Sequence, residues 1–165
     1  FRRSSYYLTC DRVNGVLTVY TDSTMRIPIK TIRVSVGKAG TETPIGTWTM
    51  HRAGRWQELM GPSWGQYGTH VVNGIFVHSV ACGQANSYNL PVGEYLRLGN
   101  PASHGCIRAC VADAKWVWDN CNGSKIHIFD GTYTSNEALK GPLGRKALTP
   151  LRGSKNFDPT DPACK

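Results

Sequence analysis

Two short stretches of this chain hold residue types able to do covalent chemistry. Ser103-His104-Gly105-Cys106-Ile107-Arg108 lies just ahead of a helical pattern, and Phe76-Val77-His78-Ser79 closes an apolar, β-prone run. A cysteine acts as a nucleophile through its thiolate, which a neighbouring base or positive charge favours. Histidine, titrating near neutrality, is the usual partner. Gly105 lets backbone amides come close to a substrate carbonyl. A turn at Gly105-Cys106 that enters a helix aims N–H groups at a developing oxyanion. These features describe acyl transfer through a thioester. Taken alone, Cys106 reads as a structural thiol or half of a disulfide. Its place inside SHGCIR, with a strand histidine upstream, outweighs that reading. His78, His104 and Cys106 do not suggest zinc, because a fourth ligand is missing and the HxC spacing is poor. His51, His70 and His127 sit in no motif and read as core or surface residues.

The elements that must position these groups are mostly strands. Ser5–Cys10 and Val16–Tyr20 flank DRVNG, whose Asn-Gly pair signals a hairpin. Residues 27–36 alternate as a strand with Pro28 near its edge. After a loop at 37–46, GTWTMH reads as a further strand. Residues 52–68, rich in Gly and Trp, show little periodicity and read as a surface segment holding aromatic side chains. Trp64 and Tyr67 there are candidates to line a substrate groove, while Trp48 reads as core. Residues 71–80 read as one buried strand carrying His78. The polar connection 81–102 is long, and loops of that length in compact domains are functional or disordered. In VADAKWVWDNC, Val111, Ala114, Val117, Trp118 and Cys121 recur at helical spacing. Lys125–Phe129 closes the set as a strand. The division expected is a catalytic domain over 1–130 and a tail over 131–165 that packs on the domain or leads out of it.

Composition bounds the rest. The 165 residues suit one domain, and 40% are hydrophobic, enough for a real core. No apolar run approaches the ~20 residues needed to span a bilayer. The chain opens at Phe1 without an apolar leader, so a signal or anchor is expected upstream of it. A formal net charge of +8 favours anionic partners: nucleic acid, an anionic membrane, or a phosphate- or carboxylate-rich cell wall. No nucleic-acid-binding motif is present. Cys10, Cys82, Cys106, Cys110, Cys121 and Cys164 make a count common in oxidised, secreted proteins. At least one disulfide is expected to tie Cys164 to the body, with Cys10 or Cys121 as its partner.

The SHGCIR core, with HS ending a strand upstream, resembles the signature of the L,D-transpeptidase catalytic domain, the YkuD-like family. VSVGKAGTETPIGTWTM is similar to that family's glycine-threonine-proline loop and following strand. DAKWVWDN with GSKIHIF resembles its helix and final strand. The resemblance covers roughly residues 5 to 130. It departs in an extended gap between His78 and Ser103, and in Arg108 where many members carry Asn. It implies a mostly β fold, a twisted sandwich or partly open barrel with one main helix beside the cysteine. It implies that Cys106 is the nucleophile, that His78 is the general base and acid, and that the Ser79 carbonyl holds the imidazole tautomer. Gly105 and Cys106, with His104, are implied as oxyanion donors. Ser103 and Arg108 are implied to shape the pocket and hold a substrate carboxylate or carbonyl.

The activity implied is peptidoglycan L,D-transpeptidation in the cell wall, outside the cytoplasm. Cys106 would attack the third residue of a tetrapeptide stem, release D-alanine, and pass the acyl group to a second stem. The resemblance implies no metal or organic cofactor, and acylation of Cys106 by carbapenems. An L,D-carboxypeptidase using water, and a wall-binding module without activity, stay open as alternatives.

Overall fold

The computed structural model describes residues 6–153 and 156–164. The first hairpin joins β1 (Tyr7–Asp11) to β2 (Val16–Tyr20). Asp11 closes its turn by accepting from the amides of Val13 and Asn14, and Gly15 takes a φ of +61°. β3 (Pro28–Arg33) pairs antiparallel with β2. β11 (Lys125–Phe129) pairs parallel with β1, and β4 (Gly46–Thr49) lies antiparallel on its far side. The resulting sheet runs β3-β2-β1-β11-β4.

A second sheet faces the chemistry. It runs β10 (Ile107–Ala109), β9 (Ile75–Ser79), β8 (Thr69–Val72) and β5 (His51–Arg52). One apolar cluster joins both sheets. Leu8, Leu17, Ile126 and Ile128 enter from the first, Val71, Val77 and Ile107 from the second, and Val117 from helix α2 (Val111–Asn120). Among the described residues the architecture is mostly β with several sheets, no closed barrel and one main helix.

Three segments differ from the sequence reading. Residues 71–80 are not one strand, because Asn73 at φ +49° and Gly74 turn the chain between β8 and β9. The signal was the Asn-Gly pair, a preferred hairpin turn. Residues 52–68 contain a separate hairpin, β6 (Trp56–Leu59) with β7 (Ser63–Gln66). The connection 81–102 carries a short helix, α1 (Val92–Leu96), and anchors it with its own core. Leu90, Tyr95 and Leu98 are buried there against Val80 and Cys110.

The expected disulfide to Cys164 is absent: all six cysteines are free thiols. Cys10 and Cys121 are sealed in the main apolar cluster, whereas Cys164 sits beside Ser87, Tyr88 and Asp161. The segment after β11 is held by polar contacts instead. The buried Arg145 guanidinium donates to the carbonyls of Asn14 and Gly99 and pairs with Glu137. Asp158 accepts from the Val111 amide at 2.8 Å, and Thr160 Oγ1 from the Ala112 amide at 3.1 Å. These two side chains cap α2, whose own N-cap residue, Cys110, supplies no side-chain bond.

Candidate active site

The Ser103–Cys106 turn is fixed from three directions. The segment after β3 runs alongside it: Ser35 bridges Arg108, and Gly37 bridges Ser103. The amides of Ser103 and Lys38 donate across that seam to Val36 and Ser103. Thr43 Oγ1 donates to the Gly105 carbonyl at 2.7 Å and accepts from the Gly37 amide. Within the turn, Ser103 Oγ donates to the Cys106 carbonyl at 2.5 Å and accepts from the Gly105 amide at 3.1 Å. Gly105 takes a φ of +126°, and a Cβ there would lie 2.9 Å from Ile75 Cδ1. Only glycine fits both constraints.

The turn delivers Cys106 to the mouth of the β8–β9 hairpin. The Phe76 amide donates to Cys106 Sγ at 3.4 Å, and the thiol donates to the Gly74 carbonyl at 3.5 Å. Burial pushes the thiol above its ordinary range, while the Phe76 amide and Arg108 pull it down. Cys106 therefore rests as a neutral thiol at neutral pH, with one donor already aimed at its sulfur.

His78 lies further along β9, opposite Arg108 in the parallel pair of β9 and β10. It is 2% exposed. Its Nδ1 meets the Ser79 carbonyl. A carbonyl only accepts, so Nδ1 carries the proton and Nε2 is left with a free lone pair. Burial lowers the imidazole to about 4, helped by the positive charge of Arg108 and opposed by the Ser79 bond. The unfolded chain takes up a proton here near 6.5 and the folded chain near 4. Stability is thus fully present above 6.5 and is lost as pH falls toward 4, by about 3 kcal/mol. Urea titrations at pH 7 and pH 4.5 should show that loss in the wild type and a smaller one in His78→Gln.

One cavity of about 560 Å³ contains both groups. Its lining includes His78, His104, Cys106 and Arg108, with Ile75 and Phe76 from β9 and Glu58 to Gly61 from the β6–β7 tip. Arg108 Nη1 pairs with Glu94 of α1 at 2.8 Å, and its buried Nε has no partner among the described residues. Among those residues, no group of three or more His, Cys, Asp or Glu is placed to hold a metal ion.

Several sequence candidates take different positions from those expected. Ser103 touches the cavity, but its hydroxyl is used inside the turn. The Gly105 amide is committed to Ser103, so Gly105 shapes the turn and does not offer a free oxyanion donor. Trp64 and Tyr67 do not line the cavity. Side chains alternate along β7, so Ser63 and Gly65 face the site and Trp64 faces away. Tyr67 is buried edge-on against Trp118, with the Arg55 guanidinium 4.0 Å from its ring centre. Gly65, Thr43, Glu94 and the hairpin tip went unnoticed in the sequence. The period-2 step from His78 to Phe76 was the one local signal that pointed into the cavity.

The sequence profile of the L,D-transpeptidase catalytic domain (YkuD) matches residues 5–138, and the chain belongs to that family. The Bacillus subtilis (strain 168) protein named as L,D-transpeptidase YciB is 59% identical over 27 residues, which are 16% of this chain and 14% of that protein. An L,D-transpeptidase from Mycobacterium tuberculosis H37Rv superposes with a TM-score of 0.60 at 19% identity, covering 76% of this chain and 58% of the other. L,D-transpeptidase 3 from Mycobacterium tuberculosis, solved with a faropenem-derived adduct, gives 0.56 at 18%, covering 76% and 60%. At these identities the likeness is one of fold. The chain spans about three-fifths of the length of these two solved relatives.

Proposed function

We propose that this chain is the catalytic domain of a peptidoglycan L,D-transpeptidase that works through a Cys106 thioester. The observation that carries the proposal is the shared cavity. A neutral histidine with a fixed tautomer and a cysteine whose sulfur already receives an amide both open onto it. Cys106 Sγ attacks the carbonyl of the third, L-configured residue of a tetrapeptide stem. His78 Nε2 takes the thiol proton and returns it to the amine of the departing D-alanine. The Cys106 amide, at the end of the turn, is the backbone donor for the oxyanion, with His104 beside it. The side-chain amine of a second stem then attacks the thioester, giving a 3→3 crosslink and regenerating the thiol. Arg108 lines the same cavity, and its guanidinium suits a substrate carboxylate or carbonyl. Such a reaction places the protein outside the cytoplasm, at the wall, where the net charge of +8 favours anionic polymers.

The test is product analysis of a disaccharide-tetrapeptide incubated with and without an amine acceptor. Dimers that have lost D-alanine are the expected product. Tripeptide alone would make water the acceptor, a carboxypeptidase. Bound but unaltered stems on folded protein would overturn the proposal in favour of a wall-binding module.

A further inference from the structure

The tail beyond the family-matched segment reaches the candidate base through a continuous buried chain. Asp161 Oδ2 accepts from Gln66 Nε2 at 3.0 Å. The Gln66 backbone N–H donates to Ser79 Oγ at 2.8 Å, and the Ser79 carbonyl meets His78 Nδ1. Asp161, Gln66, Ser79 and His78 are each no more than 3% exposed. Gln66 also accepts from Arg55 Nη1 at 2.9 Å, so both ends of its amide are held. Gly65, the residue before it, forms the wall behind the imidazole, where a Cβ would lie 2.6 Å from Nδ1. Whatever fixes Gln66 therefore fixes both the hydrogen-bond partner and the packing wall of His78.

We propose that Asp161, acting through Gln66, is a positioning residue for the His78 imidazole, so that the C-terminal tail forms part of the active-site scaffold. This rests on the reading of His78 as the general base. The same tail caps α2 through Asp158 and Thr160, directly after the strand that follows Cys106. With Asp161 removed, the Gln66 side-chain Nε2 loses its acceptor in a buried place and β7 shifts to find water. Water then reaches the imidazole, and its Nε2 leaves the line of attack. The charged and titratable groups that share its surroundings are Arg108, across the strand pair, and Cys106, His104 and Glu58 in the cavity.

The experiment uses the full chain and two readouts. Nitrogen-15 NMR follows the His78 ring titration, and mass spectrometry follows the rate of Cys106 acylation by a carbapenem. Asp161→Ala is expected to move the His78 midpoint up from about 4 toward the ordinary 6.5, and to slow acylation roughly ten- to a hundredfold. Asp161→Asn keeps an oxygen for Gln66 and should stay close to wild type in both. The double variant Asp161→Ala with Gln66→Ala should be no slower than the slower single, since both break one chain. Thr160→Val weakens the α2 cap but leaves Gln66 untouched, and should not move the midpoint. A folded Asp161→Ala protein with wild-type midpoint and rate would overturn the proposal, as would an equal change in Thr160→Val. If Asp161→Ala does not fold, Gln66→Ala carries the same test, and an unchanged midpoint there overturns it. If the wild type is not acylated but the midpoint still moves, the link to His78 stands and the cysteine-enzyme reading fails.

Discussion

Replacing His78 with Gln is expected to slow thioester formation at Cys106 by roughly 10²- to 10⁴-fold, the range for loss of a general base. The size of the effect follows from the resting charges. Burial holds the Cys106 thiol above its ordinary range and the imidazole down at about 4. The pair is neutral at pH 7, so thiolate does not accumulate and must be made during attack. That makes the proton acceptor indispensable. The same arrangement fixes the pH profile. Acylation by a carbapenem should lose its acid limb near pH 4 rather than near 6.5, because only the protonated imidazole cannot accept. Stopped-flow rates from pH 3.5 to 8 check this. In His78→Gln the limb should vanish along with most of the rate. A wild-type limb near 6.5 would mean that His78 is solvated and that the buried geometry is wrong.

Gly65→Ala should be nearly as damaging, although residue 65 carries no chemistry. Its Cβ would stand 2.6 Å from His78 Nδ1 and 2.8 Å from Cγ. No real pair of atoms packs that closely, so the imidazole or strand β7 must move. Moving the ring breaks its bond to the Ser79 carbonyl and redirects Nε2. Displacement on the order of 1 Å is enough for roughly a hundredfold loss of rate. Moving β7 instead disturbs Gln66 and costs about 1–3 kcal/mol, the usual range for overpacking. Acylation rates together with thermal unfolding distinguish the two. A Gly65→Ala protein of wild-type activity and stability would show that the wall behind His78 is not tight.

The chemistry was more legible in the sequence than the cavity around it. Cys106 and His78 stood out because a nucleophile beside glycine and a histidine at a strand end are local patterns. The helix expected over 111–121 followed from the helical spacing of its apolar residues and spans 111–120, and the strand over 125–129 lies where the sequence placed it. The contacts that build the site join residues far apart in the chain. Thr43 reaches Gly105, Glu94 reaches Arg108, and Asp161 reaches Gln66, and no spacing rule connects them. Trp64 and Tyr67 were drawn to the groove by composition. Trp64 faces away from the cavity through the alternation of β7, and Tyr67, at a positive φ just past the end of β7, is buried elsewhere. The capping of α2 was also hidden, because the carboxylate that accepts from the Val111 amide lies some 47 residues downstream of it. The split of 71–80 was different. Its Asn-Gly turn signal is present in the sequence but lies inside an apolar run that reads as one strand.

The most direct test of the Cys106 thioester is intact-protein mass spectrometry after incubation with a carbapenem. Wild type and Cys106→Ala should be compared after mild reduction, with folding verified for both. A single covalent adduct on the wild type, absent from Cys106→Ala, is the expected result. Folded wild-type protein with no adduct, or an adduct that persists in Cys106→Ala, would contradict the assignment of Cys106 as the acylated nucleophile.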